Sequence, residues 1–87
     1  MSDAHWRVRL ARSAEKDLDR LDPRVRTRVL RAIRRFAENP RTGKALKLRG
    51  RPDWRLRVGD WRVLLELDQG ARTIRVKRVL PRGRAYR

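Results

Sequence analysis

The stretch PDWRLRVGDWRVLLEL, residues 52–67, concentrates side chains suited to phosphate chemistry. Arg55 and Arg57 are two apart, and Arg62 follows just beyond Gly59-Asp60. Glycine in the first position of a two-residue loop suits a type II′ turn, which sets Val58 against Trp61. That register pairs Arg57 with Arg62, Leu56 with Val63, Arg55 with Leu64 and Trp54 with Leu65. One face is then apolar (Trp54, Leu56, Val58, Trp61, Val63, Leu65), and the other carries Arg55, Arg57 and Arg62. Like charges directly opposite on neighbouring strands destabilise by a few tenths to about 1 kcal/mol. An anion between Arg57 and Arg62 would relieve that, and phosphate accepts guanidinium hydrogen bonds bidentately.

Later residues extend the face. With Gln69-Gly70 as the next turn, Leu65 meets Ile74, Val63 meets Val76, Arg75 lies beside Leu64 and Lys77 beside Arg62. Five cations then share one side with a single acid, Glu66. The bland alternative is a solvated outer face, but such faces are usually mixed in sign. Arg78 falls opposite Trp61 on the apolar side, where stacking on the indole can hold it. The closing PRGRAYR brings Arg82 and Tyr86 towards the end of this sheet. Cationic neighbours favour the phenolate form of a tyrosine, so Tyr86 is a candidate proton acceptor, or a platform for a base; packing is the plainer role. His5 is expected at the surface or in packing.

The elements that position these groups follow from periodicity. Trp6, Val8 and Leu10 alternate with Arg7, Arg9 and Ala11, as in a half-buried strand. Ser13 is expected to cap a short helix running to Leu21. Asp22-Pro23 marks a second helix start, with Val25, Val29, Ile33, Phe36 and Ala37 as its apolar stripe and arginines on the other side. Asn39-Pro40 ends it. Residues 41–53 read as an irregular basic loop, followed by strands at 54–58, 61–68 and 72–80. The expectation is an α+β domain over 1–87, ordered β-α-α-β-β-β, with two antiparallel helices on one face of a small antiparallel sheet.

Composition sets the outer limits. The 87 residues suffice for one small core, and 39% hydrophobic content at regular spacing argues for a folded domain rather than a basic tail. Lys and Arg total 26 against 10 Asp and Glu, a net charge of +16 that calls for a polyanionic or strongly acidic partner, nucleic acid first. Cysteine is absent, which removes disulfides, thiolate nucleophiles and the common zinc motifs, and fits a reducing cytoplasm. No apolar run is long enough for a membrane span. No metal and no cofactor is expected.

These blocks together carry a resemblance. ARSAEKDLDRLDP, NPRTGKALKLRG, WRLRVGDWRVLLELD and the closing Arg-x-x-x-Tyr-Arg are similar to the RelE/ParE superfamily of toxins from bacterial type II toxin–antitoxin systems. RelE-like members cut messenger RNA in the ribosomal A site; ParE-like members share the fold and poison DNA gyrase. The resemblance implies a RelE-like fold and places a nuclease site at Arg55, Arg57, Arg62, Arg82 and Tyr86. Arg57, Arg62, Arg82 and Tyr86 are the expected catalytic groups, and Arg55, Lys47, Arg75 and Lys77 the expected RNA-placing groups. It also implies a cognate antitoxin, expected to be acidic. Where many relatives carry Gly-His or Gly-Lys before the late arginine, this chain has Leu80-Pro81; Gly83 and Arg84 depart likewise. The alternatives are gyrase inhibition and a non-catalytic basic module that binds nucleic acid.

Overall fold

The structure, a computed structural model, describes residues 6–40, 45–47 and 53–83. The order is β1 (Arg7–Leu10), α1 (Arg12–Asp19), α2 (Pro23–Glu38), β2 (Ala45–Lys47), β3 (Asp53–Val58), β4 (Trp61–Asp68) and β5 (Thr73–Pro81). All five strands form one sheet in the order β1-β5-β4-β3-β2. The α+β class and the strand–helix–helix–strand order hold, with two additions. β1 runs parallel to β5, with Val8 opposite Ile74 and Leu10 opposite Val76, so the sheet is mixed. Ala45–Lys47, expected to be irregular, pairs antiparallel with β3 as a short edge strand. None of the described helices is long and apolar enough to cross a membrane.

The second helix begins as its sequence signals. The Asp22 carboxylate accepts a hydrogen bond from the Arg24 amide at 2.9 Å, and Pro23 occupies the first turn, where its missing N–H is not needed. The first helix does not start at Ser13. Its N-cap is Ala11, with no side-chain cap. The Ala11 amide donates to Val76 O (2.8 Å) and its carbonyl accepts from the Glu15 amide (3.0 Å), so β1 passes directly into α1. At the other end α1 stops at Asp19, short of Leu21. There Arg26 of α2 donates Nε to Leu18 O (2.9 Å) and Nη2 to Leu21 O (3.2 Å). A cation at a helix C-terminus satisfies carbonyls that lack intrahelical donors.

The core forms where the helices cover the sheet. Leu56, Val63, Leu65, Ile74, Val76 and Val79 meet Ala14 and Leu18 of α1 and Val29, Ile33, Phe36 and Ala37 of α2, all buried. Trp54, Trp61 and Val25 close its margin, half-buried.

The β3–β4 register is the one expected, with Arg57 opposite Arg62 and Val58 opposite Trp61. Gly59 has φ +58°, and among the described residues only Arg72 is a non-glycine with positive φ, so Asp60 is not left-handed. That combination fits a type II′ turn. The β4–β5 register differs from expectation. Leu65 faces Val76 and Leu67 faces Ile74, because residues 69–72 form a longer connection in which Arg72 (φ +49°) takes the left-handed position. A shift of two residues keeps every side chain on its face.

A bulge then reconciles the rest of β5. Leu65 pairs with Val76 but Leu64 with Arg78, so Lys77 is the extra residue and Val79 returns opposite Val63. Arg78 is therefore not beside Trp61. It donates Nε and Nη2 to the Asp17 carboxylate (2.8 and 3.1 Å), which also accepts from the Val79 amide at 2.9 Å. The Val79 amide, beyond the stretch of β5 that β1 covers, thus finds its acceptor on α1. Burial alone raises the Asp17 carboxyl, but the Arg78 bonds, the Val79 amide and nearby positive charge together hold it below its ordinary value.

This contact has a defined pH signature. A carboxylate lowered by folding contributes stability that is full above its unfolded value, near 4, and lost as pH falls through the folded value. Arg78 is nearly half exposed, so solvent screening reduces the ion-pair share, and the Val79 bond carries much of the effect. Asp17→Asn is expected to lower stability at neutral pH by about 1–2 kcal/mol. In urea titrations the gap from wild type should narrow as the pH drops below about 4. A gap independent of pH would remove Asp17 ionisation from the account.

Candidate functional site

Two arginines face each other across the β3–β4 hairpin, and they are held differently. Arg57 is exposed and forms no hydrogen bond or ion pair with another described residue. Arg62 is only 4% exposed. Its Nη1 donates to the carbonyls of Gly59 (2.8 Å) and Trp61 (2.9 Å), which fixes the guanidinium against the turn that precedes it. Its Nε is buried without a hydrogen-bond acceptor among the described residues. A buried donor of this kind costs about 1–3 kcal/mol, and an incoming anion is one way to satisfy it.

The end of β5 is brought to the same place. Leu80 lies opposite Arg62 and Pro81 opposite Trp61. The Arg82 amide donates to Asp60 O at 2.9 Å, which ties the residue after the strand to the β3–β4 turn. Pro81 is thus tolerated at the strand's end, next to a residue whose N–H is used. The Arg82 side chain is exposed. Arg57, Arg62 and Arg82 therefore share one end of the sheet, and none of the strand positions paired there carries an acid. Tyr86 lies outside the described residues.

The other expected site residues are placed elsewhere. Arg55 is on the same face as Arg57, one pleat further from the turn, buried between β2 and β4 opposite Leu46 and Leu64. Lys77 does not lie beside Arg62: the bulge turns it to Asp53, 3.0 Å away, and within 3.8 Å of Glu66. Asp53, 2% exposed, is thus a second acid on a face expected to hold Glu66 alone. Its place two residues before Arg55 in an alternating strand was the available signal. Arg75 faces Glu66 across β4 and β5. It lines a hollow of about 940 Å³ at the end of the sheet away from the turn, together with Leu10, Trp54, Leu67 and Lys47; Lys47 pairs with Trp54, so it lies off the face that carries Arg55 and Arg57. So the single cationic face expected from the sequence is two regions: a turn end whose paired strand positions carry arginines and no acid, with Asp60 exposed in the turn itself, and a far end where acids answer the cations.

Chemically, the turn cluster can bind and stabilise a phosphate dianion or a phosphorane, because guanidinium stays charged at every physiological pH. Among the described residues no group of three His, Cys, Asp or Glu side chains could hold a metal ion.

Residues 8–86 match the sequence model of the ParE toxin of the type II toxin–antitoxin system parDE. No curated protein is found to match the chain. Among solved structures it is similar to the RelBE2 toxin–antitoxin complex of Mycobacterium tuberculosis, with 29% identity, a TM-score of 0.77, and 90% of this chain and 92% of that one covered. It is also similar to the archaeal RelE–RelB complex of Pyrococcus horikoshii, with 26% identity, a TM-score of 0.78, and 92% and 98% covered. The isolated E. coli RelE toxin shares the fold at 21% identity, with a TM-score of 0.77 and 93% and 90% covered. With the family match running over almost its whole length, the chain belongs to the ParE toxin family, within the RelE/ParE superfamily of type II toxin–antitoxin systems.

Proposed function

We propose that this toxin is a ribosome-dependent endoribonuclease that cuts messenger RNA at the turn-end arginine cluster, in the cytoplasm. RNA carries its own nucleophile, the 2′-OH. The protein then has to orient that hydroxyl, accept its proton and stabilise the pentavalent phosphorane. Arg62 and Arg82 supply positive charge to the phosphorane. Tyr86 accepts the 2′-OH proton, and the exposed Arg57 holds the flanking backbone, with Arg55 buried behind it on the same face. The observation that carries this is Arg62: a buried guanidinium pinned by two turn carbonyls, with a second arginine directly opposite and a donor still unsatisfied. A group fixed in place before substrate arrives stabilises developing charge without reorganising.

With Tyr86 as the proton acceptor, RNA held in the correct geometry by the ribosome contributes much of the rate. The restraining partner is an acidic antitoxin, whose encounter with a protein of net charge +16 is electrostatically steered. The family match favours a second reading, a gyrase poison, in which Arg62 only stabilises the turn. Inducible expression separates the two. Translation arrest with unchanged DNA supercoiling is expected; lost supercoiling with translation intact transfers the function to gyrase.

A further inference from the structure

The two arginine-bearing surfaces of this molecule are not on the same side. The turn-end cluster lies on the sheet face away from the helices, whereas α2 carries Arg24, Arg28, Arg31 and Arg35 at steps of four, three and four residues. At about 100° per residue these fall within an arc of roughly 60°, in a row about 16 Å long. All four are exposed, and none of their side chains forms a hydrogen bond or ion pair with another described residue. Glu38, the one acid of the helix, stands at its last position. The α2 row meets the turn: a Cβ at Gly59 would lie 3.4 Å from Arg28 Nη1.

We propose that the α2 arginine row is a second nucleic-acid surface, docking the phosphate backbone of helical RNA while the turn-end cluster engages the strand to be cut. This rests on the RNA-cleaving reading above. Four guanidinium groups in line, without acids between them, match a row of phosphates in charge and in hydrogen-bond geometry. An acidic peptide is the weaker fit. Peptide helices bind through apolar anchors, and the exposed apolar residue of α2, Leu30, points well outside the arginine arc. A protein that inserts between RNA elements needs cations on both faces, and the Arg28–Gly59 approach makes the two surfaces continuous around one edge.

The test uses the full chain and a fourfold variant, Arg24→Gln, Arg28→Gln, Arg31→Gln, Arg35→Gln, with its fold checked by circular dichroism. These residues are exposed and outside the core, so a folded variant is expected. Binding is measured against salt concentration with two probes, a fully paired RNA hairpin and a polyglutamate peptide. Docking of helical RNA predicts that the slope of log affinity against log salt flattens by roughly one unit for each phosphate no longer engaged, with little change for polyglutamate. An unchanged RNA slope overturns the proposal, as does equal or greater weakening on polyglutamate. Translation and supercoiling assays on wild type report separately on the nuclease reading. Failure of that reading with the RNA slope still dependent on the row leaves the docking surface standing; an unchanged slope alongside translation arrest removes the surface alone.

Discussion

Arg62→Ala is expected to reduce ribosome-dependent RNA cleavage by about 10²–10³ while the fold is retained. The alanine loses the one guanidinium that is both buried and pinned to the turn by the Gly59 and Trp61 carbonyls. It also removes the like-charge pairing with Arg57 and the unsatisfied Nε, both of which oppose folding. Stability and activity should therefore move apart: urea midpoints near wild type, single-turnover cleavage sharply lower. Arg62→Lys is informative beside it. Lysine keeps the charge but cannot bond both carbonyls and a phosphate in one plane, so only partial recovery is expected. Cleavage by Arg62→Ala at the wild-type rate would assign Arg62 to the turn alone.

The largest effect on stability is expected from Leu65→Ala. Leu65 is fully buried in the middle of β4, opposite Trp54 on β3 and Val76 on β5, and belongs to the core shared with both helices. Truncating a buried leucine costs about 2–5 kcal/mol, depending on how far the cavity collapses. The chain is small, and domains of this kind have only about 5–15 kcal/mol in all. Because this position lies between both neighbouring strands in the single core cluster, the effect should appear as global unfolding at lower urea, with an unchanged slope of free energy against denaturant. A destabilisation under about 1 kcal/mol would mean that the sheet is not packed as described.

Local chemistry explains which parts were legible beforehand. Gly59-Asp60 and the strict alternation on either side determine a hairpin register without reference to anything distant, and Asp22-Pro23 determines a helix start in the same way. The parallel pairing of β1 with β5 joins residues more than sixty positions apart and has no local signal. A three-residue edge strand such as Ala45–Lys47 is too short for its alternation to stand out. The bulge did leave a trace: Ile74, Val76 and Val79 break a two-residue repeat with one step of three, and the awkward position expected for Arg78 was its consequence. The positions of the candidate site residues were legible to the extent that they sat on the regular hairpin. Lys77 was misplaced because the bulge turns it to Asp53, and the Asp17–Arg78 pair depends on how α1 meets β5.

The central claim, cleavage through the RNA 2′-OH at an arginine cluster, is tested most directly on programmed ribosomes with purified toxin. Attack of the 2′-oxygen on the adjacent phosphorus, with departure of the 5′-oxygen, which takes up a proton from water, leaves a 2′,3′-cyclic phosphate on one fragment and a 5′-hydroxyl on the other. A messenger with a single 2′-deoxy nucleotide at the scissile position should therefore stay intact, while the all-ribose messenger is cut with those termini. Cutting of the deoxy-substituted messenger at the same bond, or no cutting of either, would contradict it.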